Sequence, residues 1–171
     1  MNIKKMVYLS LMASQALLLF IIEAYIPVPL PAIGVKLGLS NIIILLVLYT
    51  YSYKEALIVL LLKLILSMFF SGSPSMLLYS LAGGLLSLYF MNLFKIIFKD
   101  SISIIGVSLI GAAFHNIGQI AAAIAIHQNL SILFYLPIVL LSSIFTGLLI
   151  GAAAKFTLEN FIKTSESGVN H

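Results

Sequence analysis

The sequence predicts an all-α integral membrane bundle of six transmembrane helices, and three observations carry that prediction. Of 171 residues, 62% are hydrophobic and only 8% are charged, with a mean hydropathy of +1.19. A water-soluble domain needs roughly a quarter of its residues charged, so this chain is suited to lipid. Its apolar residues fall in runs near the ~20 residues that cross a bilayer, separated by short polar or proline-bearing breaks. At this length there is room for roughly five to seven such spans and no separate soluble domain, so residues 1–171 are expected to form a single transmembrane domain.

The first span is expected over about residues 6–24. Lys4-Lys5 followed by an apolar run resembles the start of a signal peptide, but Glu23, Tyr25 and a proline-rich turn follow instead of a small-residue cleavage pattern. In Pro27-Val28-Pro29-Leu30-Pro31 the alternating prolines impose an extended chain that cannot continue a helix. Gly34 to Gly38 supplies turn formers, and Ser40 or Asn41 is the expected cap of a short second span over about residues 41–52. Tyr53-Lys54-Glu55 closes the next turn, and a third span occupies about residues 54–70.

Ser71-Gly72-Ser73-Pro74 reads as a loop with a cap at Ser73 and proline at the first helical position, opening a fourth span over about residues 74–94. Lys95, Lys99 and Asp100 mark a water-exposed connection. A fifth span follows over about residues 103–126, then a turn at His127-Gln128-Asn129 and a sixth span over about residues 131–156. The polar tail, residues 157–171, is expected to fray.

The net charge of +4 comes entirely from lysine and is divided among helix ends, which excludes a basic nucleic-acid face. If both termini are cytoplasmic, Lys4, Lys5, Lys54, Lys95, Lys99, Lys155 and Lys163 fall inside, with Lys36 outside and Lys63 within a span. That asymmetry predicts a multi-pass protein of the cell membrane. It also places the proline-rich loop, the Ser71 to Ser75 loop and the His127 to Asn129 turn together on the outer face.

Small residues mark where helices approach. Ser143, Gly147 and Gly151 recur every four residues in the sixth span; Ser80 with Gly84 and Gly83 with Ser87 do so in the fourth, and Ser10 with Ser14 in the first. Such strips serve contact within the chain or contact with a separate membrane partner, by the same chemistry.

Polar groups inside the spans are the candidate binding residues. His115 and Gln119 lie four residues apart on one helix face beside Ala112 and Ala122, with Asn116 about 100° round. Lys63 sits near the middle of the third span, where an ammonium must be paired, snorkel outward or meet an anionic ligand. Glu23 is its obvious partner or competitor. Asn41 stands at a helix start that favours an anion, and Lys36 belongs to the first outer loop. Each has a plainer reading: His115, Asn116 and Gln119 as bonds between neighbouring helices, Lys36 as a solvated charge, Asn41 as a cap. Tyr8, Tyr25, Tyr49, Tyr51, Tyr53 and Tyr135, near span ends, read as interfacial anchors.

Several chemistries are excluded. The chain has no cysteine, hence no disulfide or thiolate site, and His115 and His127 stand too far apart to share a metal. Asp100 is its one aspartate, and Glu23, Glu55, Glu159 and Glu166 fall in different segments, so no carboxylate cluster could hold magnesium against a diphosphate. A phosphate-cradling glycine loop with lysine and serine or threonine is likewise missing. No catalysis and no cofactor are expected.

Three segments carry a resemblance: Pro27 through Asn41, with its Lys36-Leu37-Gly38-Leu39-Ser40-Asn41 end; Ser80-Leu81-Ala82-Gly83-Gly84-Leu85-Leu86-Ser87; and Gly106-Val107-Ser108 with Ala113-Phe114-His115-Asn116-Ile117-Gly118-Gln119. Over nearly its whole length the chain resembles the bacterial membrane family called Gx transporters, also labelled heptaprenyl diphosphate synthase component I. That family is similar in turn to the S components of energy-coupling-factor transporters, which capture a micronutrient and dock on a transmembrane partner with two ATPases. The resemblance implies a membrane substrate-binding subunit that captures a small molecule, anionic or amphiphilic, from the outer face and relies on separate coupling subunits. The alternative it implies is a non-catalytic membrane component of heptaprenyl diphosphate or quinone biosynthesis.

Overall fold

The computed structural model describes residues 3–25, 38–71 and 74–167, with the side chains of 24, 71, 74, 75 and 161–167 set aside. The described residues form six α-helices and no strand: α1 (Ile3–Ala24), α2 (Ser40–Thr50), α3 (Tyr53–Ser71), α4 (Pro74–Phe98), α5 (Ile104–His127) and α6 (Leu136–Ser167). Short 3-10 turns at Lys99–Ser101 and Leu130–Tyr135 join α4 to α5 and α5 to α6. Every segment expected to be helical holds a helix.

Length and composition sort these helices. Four stretches, Ile3–Glu23, Met76–Ser101, Ile104–His127 and Leu130–Asn160, are long and apolar enough to cross a membrane. The described part of α3 carries Lys54, Glu55 and Lys63, and α2 has 11 residues, about 16 Å of helix against a hydrocarbon core of about 30 Å. The outer surface agrees with a lipid environment: Leu11, Leu18, Phe69, Leu141 and Phe145 are all exposed. In water so large an apolar surface would associate; in a bilayer it is solvated.

Neighbouring helices close a ring in the order α1, α3, α4, α5, α6, α2 and back to α1, with α2 also touching α3. The short α2 is the most enclosed of them, and Ile43, Ile44, Leu45, Leu46, Val47 and Leu48 are buried in unbroken succession. An apolar helix without a polar face belongs inside protein. It packs against Leu9, Ala13 and Ala16 of α1, Ala56, Val59, Leu60 and Leu64 of α3, and Ile150, Ala154 and Leu158 of α6.

Glycines set the tightest approaches. A Cβ on Gly118 of α5 would stand 2.7 Å from the Ala82 carbonyl oxygen of α4, and one on Gly83 would stand 2.8 Å from the His115 carbonyl oxygen. On α6, a Cβ on Gly147 would stand 2.8 Å from the Leu109 Cα of α5, and one on Gly151 would stand 2.7 Å from the Ile105 Cα. Gly84 faces the Leu60 side chain of α3, so the two offset strips of α4 serve two different neighbours.

Local details depart from expectation in two places. Neither Ser40 nor Asn41 caps α2: the helix starts from Leu39 with no side-chain cap bond, and a carboxylate from α1 fills that role. The tail expected to fray from residue 157 is helical through Ser167. Elsewhere Pro74 does open α4, while the cap expected at Ser73 lies outside the described residues. Ser103 caps α5 by accepting from Gly106 N at 3.1 Å, and Gln128 turns the chain after α5 with a φ of 49°.

Candidate functional site

The antiparallel course of the helices gives the bundle two unlike ends. One, here the lysine end, gathers the start of α1, the end of α2, the start of α3, the end of α4, the start of α5 and the later turns of α6. Lys5 reaches Glu55 there at 2.6 Å, and Glu55 also accepts from Ser52. At the opposite end Tyr79 of α4 meets His127 of α5 at 2.9 Å.

The intramembrane candidates fall into two groups. Glu23 is 3% exposed, and its carboxylate accepts from Gly38 N at 2.5 Å and Leu39 N at 3.1 Å, the free donors at the start of α2. Asn41 belongs to the same corner, its Nδ2 standing 3.1 Å from where a Cβ on Gly38 would be. Lys63, 4% exposed, holds its ammonium 5.3 Å from the centre of the Phe20 ring, one turn before Glu23. Lys63 of α3 is thus buried, with Phe20 of α1 beside its ammonium. Lys36 lies outside the described residues, as does the proline-rich segment expected on the outer face.

The second group lies between α4, α5 and α6. Asn116, 7% exposed, donates from Nδ2 to the Val139 carbonyl of α6 at 3.0 Å, and Ser142 donates to the same oxygen at 2.7 Å. A shared acceptor of this kind ties two membrane helices where water is scarce. On the adjacent face of α5, the His115 ring and the Gln119 stem lie against Gly83, 3.2 and 3.0 Å from the position its Cβ would take. Phe90 and Phe114 stack nearby, with centroids 3.5 Å apart.

Two concavities are lined by other residues altogether. A largely apolar cleft of about 370 Å³ runs between α1, α2 and α6, walled by Tyr8, Met12, Ile42, Ile43, Leu46 and Leu158 with Gln15, Thr50 and Thr157 at hand. A more open recess of about 630 Å³ at the lysine end is lined by Tyr49, Lys95, Lys99, Asp100, Ser103 and Lys155 with Ile102 and Ile104. His115, Asn116 and Gln119 line neither.

The lysine recess is not apparent from the sequence alone, where each lysine reads as a topology signal. A clue was present: Lys95 and Lys99 are four apart on one helix face, and alternating spans bring the start of the fifth helix and the end of the sixth to the same side. In the structure the ammonium of Lys95 donates to the Leu48 carbonyl at 2.7 Å and stands 4.5 Å from the Tyr49 ring centre, at the end of α2. Lys155 pairs loosely with Glu159 at 3.8 Å, and Lys99 takes a left-handed φ of 42° where α4 ends. No group of acidic or histidine side chains suited to a metal occurs among the described residues.

An apolar ring of helices with polar ties in its interior and a basic recess at one end defines a multi-pass, all-α membrane protein. The family model described as heptaprenyl diphosphate synthase component I matches residues 12–157, and the chain belongs to that family. Comparison with curated proteins and with solved structures gave no match.

Proposed function

We propose that this protein is the membrane-embedded, non-catalytic component of a heptaprenyl diphosphate synthase, a single transmembrane domain that positions the synthesis of a long isoprenoid at the bilayer. Membership of the component I family across residues 12–157 carries the reading. The lone aspartate, Asp100, supports a non-catalytic role, because magnesium held against a diphosphate needs several hard oxygen ligands. Such a component sits in the cell membrane with its lysine end and both termini in the cytoplasm, where soluble prenyl substrates and a catalytic partner are found. In a strain lacking the protein, membranes supplied with labelled isopentenyl diphosphate should make shorter or less polyprenyl product, and quinone side chains should shorten. An unchanged product distribution overturns the reading.

A second reading, a substrate-capture subunit that takes a small molecule from outside and depends on a transmembrane coupling subunit and ATPases, is favoured by one observation. Lys63, Glu23 and Asn116 are buried inside an apolar bundle, where ionisable and amide groups are costly. This reading assigns ligand contact to His115, Asn116, Gln119, Lys63, Asn41, Lys36 and Glu23. It predicts that deletion abolishes uptake of a labelled solute while polyprenyl products stay the same, the reverse of the first outcome.

A further inference from the structure

We propose that the lysine recess holds the phosphate head of an amphiphile whose hydrocarbon chain lies in the neighbouring apolar cleft. The inference rests on the family reading only for the kind of chain, not for the site. Three lysines, Lys95, Lys99 and Lys155, line one recess from α4, the turn after it and α6, set against two carboxylates, Asp100 in the lining and Glu159 beside Lys155; Lys95 also donates to the Leu48 carbonyl. The excess of positive charge selects an anion, and the breadth of a 630 Å³ opening suits a diphosphate or phosphodiester more than a chloride. Ser103 and Ile104 line the same recess at the positive end of a 24-residue helix, where the Gly106 N–H is already taken by the Ser103 side chain.

What makes the ligand an amphiphile is the second concavity. Tyr49 lines the recess and Thr50, its chain neighbour, lines the cleft; Lys155 lines the recess and Leu158, one turn on along α6, lines the cleft. From Thr50 the cleft runs along α2 past Leu46 to Ile42, away from the lysine end. A charged head at the membrane surface and an apolar chain descending beside α2 fit this pair of spaces. Lys95 also holds the end of α2 through Leu48, so head binding is linked to the helix that walls the cleft.

Phosphate-headed amphiphiles come from two sources, soluble prenyl diphosphates and anionic phospholipids, and the test separates them. Full-length protein in a neutral detergent is titrated with radiolabelled farnesyl diphosphate, then challenged with inorganic diphosphate, farnesol or phosphatidylglycerol. Farnesyl diphosphate should bind, with inorganic diphosphate and farnesol each competing at least tenfold less well. The paired substitution Lys99→Gln with Lys155→Gln should weaken binding roughly tenfold or more, since each removes a charged contact. Lys54→Gln, a change outside the recess, should leave binding intact. Thr157→Phe, at the exposed edge of the cleft, should impair farnesyl diphosphate but not inorganic diphosphate.

Competition by phosphatidylglycerol as strong as that by unlabelled farnesyl diphosphate would assign the site to any lipid phosphate, supporting the recess while removing its link to isoprenoid synthesis. Binding unaffected by the lysine pair, or weakened equally by Lys54→Gln, overturns the site. The polyprenyl product assay would still judge the family reading independently.

Discussion

Glu23 of α1 and Lys95 of α4 hold the two ends of α2: the carboxylate accepts from Gly38 N and Leu39 N before the helix, and the ammonium donates to the Leu48 carbonyl in its last turn. Each charge has the sign that the helix dipole favours at its end. The reason both are needed follows from length. An 11-residue helix cannot bring both termini to water across about 30 Å of hydrocarbon, so its unmatched backbone groups need partners from the protein. Glu23→Ala should therefore lower stability in detergent by about 1–3 kcal/mol, with Glu23→Gln losing less because an amide oxygen still accepts. Thermal unfolding of the purified variants reads this, and equal midpoints for the wild type and Glu23→Ala would refute the capping role.

The glycine contacts make a graded prediction. At Gly118 an added methyl meets backbone, Ala82 O at 2.7 Å and Gly83 Cα at 2.8 Å, so α4 and α5 must separate to admit it. At Gly84 the obstacle is the far end of Leu60, with Cδ1 at 2.9 Å, and a leucine can turn. Gly118→Ala should destabilise by about 1–3 kcal/mol and Gly84→Ala by much less. Equal tolerance of both would show that α4 and α5 do not pack through Gly118.

At the lysine end, the Lys5 to Glu55 pair joins α1 to the start of α3, with Ser52 also on the carboxylate. The lysine side chain keeps 34% of its exposure, so water and salt weaken the attraction. A double-mutant cycle with Lys5→Gln and Glu55→Gln should give a coupling below about 1 kcal/mol that shrinks as salt is added. A larger coupling that ignores salt would mean the pair is shielded from water.

Fold was legible in the sequence where hydropathy decides it. All six helices lie where apolar runs and Pro/Gly/Ser breaks put them, because those runs leave the backbone no other way to satisfy its hydrogen bonds in lipid. The ends of α2 were not legible, since the groups serving them come from Glu23, about 15 residues earlier, and Lys95, 47 residues later. Local rules for caps weigh only near neighbours, and they favoured Ser40 or Asn41. The same limit hid the lysine recess, which exists only when the end of α4, the start of α5 and the later turns of α6 come together. Conversely, the periodicity that grouped His115 with Gln119 and set Asn116 aside matches their faces: the first two lie on Gly83 of α4 and the third on Val139 of α6.

Asn116 offers the sharpest separation between structural and ligand roles inside the membrane. Its Nδ2 donates to Val139 O, an acceptor that Ser142 also uses, so removing the amide leaves that carbonyl with one remaining side-chain donor. Membrane interhelical hydrogen bonds contribute about 0.5–2 kcal/mol, and Asn116→Ala should lower stability within that range. Asn116→Asp presents an oxygen where a donor is required and buries a carboxyl besides, so it should be worse than alanine. A residue serving a bound solute instead would show little change in the thermal midpoint of the empty protein on substitution by alanine, and a loss of the stabilisation that added solute provides. Unfolding measured with and without candidate solutes therefore decides between the α5–α6 tie and the capture site.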